Sequence, residues 1–152
     1  MFALVPVNTF GYKLMLLLHI VTIVVAFAPG FVLPGVRRKV SAEGDGASRA
    51  LAAAAAANDT RIHGPALVLA GLFGFGLVGM SKKFYEFSQP WISVGMLLWF
   101  IMLGMVFAVL LPAEKKVAAG DASALKLTNM AGGIIHLLFL VQVIVMIWKP
   151  GL

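Results

Sequence analysis

Three histidines, His19, His63 and His136, are the residues of this chain whose type and position best suit chemistry. His19 and His136 fall inside long apolar stretches, and His63 sits at the rim of another. An ionisable side chain within a membrane span is costly and often functional. On helices, His19, Thr22, Ala26 and Gly30 would form one small-and-polar stripe, and Asn129, Gly132, Gly133 and His136 a second. Both stripes are expected to face the interior of a helical bundle. Neutral imidazoles from opposed helices are the usual axial ligands of a b-type haem, and glycines beside them leave room for a porphyrin. His19 and His136 are therefore the candidate cofactor ligands. Each would equally serve as a packing residue, hydrogen-bonded to a neighbouring carbonyl or hydroxyl.

Depth tests the haem reading. His19 lies seven residues inside Tyr12, roughly 10 Å along a helix, and His136 twelve residues inside Trp148, roughly 18 Å from the same face. The resulting mismatch of about 8 Å weighs against one shared haem. Copper is an alternative: Met15 and His19 stand four residues apart, Met96 is expected at similar depth, and thioether plus imidazole suits Cu(I). Methionine is also a common filler of apolar cores.

Other chemistries lack their residues. The chain has no cysteine, which excludes disulfides, iron–sulfur clusters and thiolate zinc sites. By the boundaries below, no carboxylate lies within a span to relay protons. Neither a phosphate-cradling loop nor an HExxH motif is present. Enzymatic activity is not expected of this chain alone.

The elements that must position these residues follow from composition. Of 152 residues, 61% are hydrophobic and 12% charged, and mean hydropathy is +1.00. Soluble domains average about 45–50% apolar and about 25% charged, so this chain belongs in lipid. Four apolar stretches, 14–36, 62–80, 91–111 and 130–148, each approach the roughly 20 residues that a helix needs to cross the hydrocarbon core. Lipid leaves free backbone groups without partners, so spans are helical, and the alternation of a barrel strand is absent. The expected fold is an all-α four-helix transmembrane bundle forming a single membrane domain.

Basic residues set the orientation. Arg37, Arg38, Lys39, Arg49 and Arg61 fall in the first loop, and Lys115, Lys116 and Lys126 in the third. The positive-inside rule then puts those loops in the cytoplasm and both termini outside. The net charge of +6 is explained by this juxtamembrane clustering, so the expected partner is anionic lipid and not nucleic acid. Ala26-Phe27-Ala28 resembles a signal cleavage site, but no basic residue precedes Lys13, and 14–36 is read as a retained span. The run Ala52–Ala57 predicts a short cytoplasmic helix in the first loop. The sequon at Asn58 would face the cytoplasm and is set aside. Pro29 and Pro34 are expected to bend or end the first span, and Pro65 to open the second. Tyr12, Tyr85, Trp91 and Trp148 fall at predicted interfaces, with Trp99 a deeper packing residue.

Ala66, Ala70 and Gly74 form a small-residue ridge that predicts close helix packing, within the bundle or against a partner. A faint repeat pairs Leu33-Pro34 and the following basic residues with Leu111-Pro112 and Lys115-Lys116, and Ile62-His63 with Ile135-His136. A duplicated hairpin would explain it, as would a common rule for ending inward-going helices.

Leu17-Leu18-His19-Ile20, the span end from Pro34 to Lys39, the glycine-rich second span and Leu111-Pro112 before a basic pair resemble bacterial membrane proteins of the copper-resistance protein D-like superfamily, in a four-helix branch without a defined function. The likeness spans essentially the whole chain through short motifs. It implies the bacterial inner membrane. Relatives include HemJ-type protoporphyrinogen oxidases, which imply haem at an intramembrane histidine; His19 matches that position, while the oxidase's intramembrane lysine has no counterpart here. Others are assigned to copper uptake. The expectations are thus a haem b protein or an accessory subunit of a haem-containing membrane complex, a cofactor-free structural subunit in a homo-oligomer or larger assembly, and copper transport.

Overall fold

The computed structural model describes residues 6–151, and among these the chain forms helices and turns with no strand. Four helices are long and apolar enough to cross a membrane: α1 (Phe10–Ser41), α2 (Asp45–Met80), α3 (Pro90–Ala118) and α4 (Ala124–Trp148). The protein is an all-helical, four-span integral membrane protein. Leu17, Phe31, Val32, Leu97, Leu137 and Ile147 all lie on the outside and exposed, as a lipid-facing surface requires.

The helices are longer than the apolar stretches, and the added length is concentrated at the end carrying the basic loops. Of the two expected effects of Pro29 and Pro34, bending or ending the span, ending does not occur: α1 runs on to Ser41. Each proline removes one helical hydrogen bond, a loss that membrane helices tolerate when neighbours or local adjustment compensate. The first loop is correspondingly short. After residues 42–44 the chain re-enters a helix at Asp45, and the alanine run continues directly into the second span. Leu111-Pro112 likewise does not end α3, which reaches Ala118.

Proline is accommodated differently in α2 and α3. A π turn spans Asp59–His63, just before Pro65, and another spans Met105–Leu110, just before Pro112. A widened turn lets the proline ring clear the preceding carbonyl and keeps the axis continuous. Phe107 of the second π turn packs against Gly64 beside the first: a Cβ on Gly64 would lie 2.7 Å from its ring.

The main core joins Ala26 and Phe27 of α1, Leu67 of α2, Met102 and Val106 of α3, and Ala131 and Ile135 of α4. At the basic end, Ala52 packs with Val117 and Ala124 in a satellite core, so the alanine run serves close packing as well as helix propensity. The expected interior stripe of α4 is corrected: Asn129 and Gly133 are exposed, and the buried face is Ala124, Thr128, Ala131 and Ile135. Spacing alone could not separate these faces, because much of this helix is apolar on every side.

Candidate functional site

The end of the bundle that carries Tyr12 and Lys149 is hollow. A cavity of about 540 Å³ lies among all four helices, within the range of small-molecule and cofactor sites. Its lining is mostly apolar and aromatic, with a few polar groups: His19, Gln142, Tyr85, Trp91 and Lys149. His19 is its only imidazole.

The ridge on α2 fixes that imidazole. His19 Nδ1 lies 2.7 Å from the carbonyl oxygen of Ala70, which only an Nδ1–H can satisfy. Nε2 is then the unprotonated nitrogen, with no hydrogen-bond partner among the described residues. A ring tied through one nitrogen to a backbone carbonyl, with the other free, is the usual arrangement of a metal-ligating histidine. Gly74 makes room for it, since a Cβ there would stand 3.2 Å from Cε1. Ala66 and Ala70 are buried. This face of α2 therefore receives side chains of the bundle itself. Gly71 similarly accepts the indole of Trp99, whose Nε1 donates to the Leu67 carbonyl at 2.8 Å.

Two other buried polar atoms of the cavity lining, Trp91 Nε1 and Gln142 Oε1, lack a partner among the described residues. At its rim, Lys149 Nζ donates to the Tyr85 hydroxyl at 2.9 Å and lies 4.9 Å and 5.4 Å from the Tyr85 and Trp91 ring centroids. Tyr12 and Trp91, expected at the membrane interface, are turned inward and buried; Trp148 is exposed.

The remaining sequence candidates do not all converge here. Met96 lines the cavity, whereas Met15 packs against Gly76, where a Cβ would meet its sulfur at 3.2 Å. His136 lies elsewhere. Its Nδ1 bonds the Gly132 carbonyl of its own helix at 2.6 Å, and its buried Nε2 packs against Gly30 without a hydrogen bond. Gly30 follows His19 by eleven residues, roughly 16 Å along α1, so the two imidazoles do not face one another.

Sequence reasoning missed a second constellation, at the basic end. Arg37 of α1 donates to Glu114 of α3 through Nη2 and to Asn129 of α4 through Nη1, the latter at 3.3 Å. On α2, His63 Nδ1 lies 3.0 Å from Asp59 Oδ1. The Asp59 and Glu114 side chains interact with one another. Glu114, Asp59 and His63 are only 1%, 6% and 8% exposed. Glu114 lies beyond the apolar stretch of α3, and only the helix's continuation past Pro112 folds it inward. The usable signal was Asp59 and His63 four residues apart on one helical face. Among the described residues, no group of three His, Asp or Glu side chains is arranged to hold a metal ion.

Comparison with protein-family models, curated proteins and solved structures finds no match for this chain.

Proposed function

We propose that this four-span protein resides in a bacterial cytoplasmic membrane, basic end inward, and holds a b-type haem in the cavity with His19 Nε2 as the iron ligand. The observation that carries the reading is the His19 imidazole, tied at Nδ1 to Ala70 and bordering a cavity of about 540 Å³. The residues present suit the group: an apolar, aromatic lining for the macrocycle, unpartnered polar atoms at Trp91 and Gln142, and Lys149 at the rim. When bound, haem supplies one-electron chemistry; the chain supplies the ligand, a water-poor surrounding and orientation. His136 takes no part in the ligation, because it packs against Gly30 outside the cavity.

The test is the absorption spectrum of protein purified after haem-replete expression. Wild type and His136→Ala should show a Soret band, and His19→Ala should lose it. No band in wild type rejects haem. The competing reading, a cofactor-free subunit, draws on the same His19–Ala70 hydrogen bond used only for packing. It predicts that His19→Ala lowers stability and leaves the spectrum blank throughout. A native purification with a subunit census tests whether the chain forms a homo-oligomer or serves a larger haem-containing complex. Copper is the weaker fit, since Met15 faces Gly76 and only Met96 and His19 share the cavity.

A further inference from the structure

The polar cluster at the basic end is independent of the cavity reading, and its hydrogen bonds do not balance. Asp59 Oδ2, Glu114 Oε2 and His63 Nε2 are buried and lack partners among the described residues. Two of these atoms are carboxyl oxygens, which in ionised form only accept. A buried acceptor without a donor is costly, and a buried uncompensated charge more so. Arg37 faces the cluster from α1, Asp59 and His63 from α2, Glu114 from α3 and the neutral Asn129 from α4. With both acids ionised and His63 neutral, one guanidinium faces two carboxylates and one negative charge is left over. A single proton between the adjacent Asp59 and Glu114 carboxyls removes that charge and provides the donor both lack.

We infer that Asp59 and Glu114 form a proton-binding site, holding one exchangeable proton between them, with Arg37 fixing Glu114 and His63 fixing Asp59. Its position fits exchange rather than simple stapling. Both π turns adjoin it, one carrying Asp59 and His63 and the other leading into Glu114; such turns are frequent at functional sites. On the side toward the bundle interior, the His63 ring meets Phe27 edge-on at 5.9 Å, and Phe27 lines the cavity. One aromatic ring therefore separates the proton site from the hollow end.

The chain suits a direct measurement, because it has six carboxylate side chains and Glu43, Asp45, Glu86 and Asp121 are all exposed. Infrared spectra of the full chain in lipid vesicles at neutral pH should contain a protonated-carboxyl C=O band that shifts on transfer to D2O and fades as pH rises. Asp59→Asn and Glu114→Gln should each abolish it, while His63→Gln should retain it. Absence of the band from wild type overturns the proposal even if no variant folds. Persistence of the band in both carboxyl variants, or its loss in His63→Gln, overturns it as well. The alternative arrangement, two fully ionised pairs with His63 as imidazolium, shows no such band.

Discussion

The two ends of this bundle solve opposite problems with the same four helices. At the basic end, Arg37, Asp59, His63 and Glu114 of three helices are drawn together and packed, with Glu114 almost completely buried. At the opposite end, the helices leave a cavity lined by aromatic and apolar groups, and Lys149 at its rim touches rings and a hydroxyl, with no carboxylate on it among the described residues. Stability and ligand capacity are thereby separated. A buried charged network is intolerant of change because each member compensates another. A cavity leaves its lining short of contacts and able to receive a guest.

The comparison predicts a gradient of mutational cost. Arg37→Ala should be the most damaging change, at about 3–5 kcal/mol, because it leaves a buried carboxylate without its cation. Thermal unfolding in detergent would measure it, and a loss no larger than that of a surface arginine such as Arg38 would break the contrast. Gly71→Ala comes next: its methyl would collide with Trp99, an overpacking cost of about 1–3 kcal/mol. The change should also shift tryptophan emission. His19→Ala removes a single hydrogen bond beside a cavity and should cost only about 0.5–1.5 kcal/mol in apoprotein, while abolishing any Soret band. A much larger apoprotein loss would make His19 a structural residue. Lys149→Met is the mildest, about 0.5–1 kcal/mol from the aromatic contacts, read from the same melting curves.

Much of the fold was legible because lipid narrows the choice of backbone structure. Four apolar stretches became four spanning helices, and the alanine run became helical as its propensity suggested. Helix ends were less legible. Proline is a reliable terminator only where the helix has no way to adjust, and the π turns before Pro65 and Pro112 are such adjustments. Glu114 was overlooked for the same reason, since a residue judged to lie past a helix end cannot be judged buried. His19 was legible as an intramembrane imidazole, but its hydrogen bond to Ala70, 51 positions away, depends on how α1 and α2 pack. The stripe through His136 misled, because a helix that is apolar all round carries little information about which face turns inward.

The π turn at Asp59–His63 also carries a consequence for length variation in this chain. A π turn is equivalent to one residue inserted into an α-helix. Deleting a residue there would restore regular winding and rotate the alanine-rich half of α2 by about 100° against its membrane half. Ala52 would swing away from Val117 and Ala124, and Asp59 away from Glu114. Substitutions at Thr60 or Arg61 should therefore be far better tolerated than a single-residue gap between them, and chains of this design are expected to vary there in identity while keeping the count.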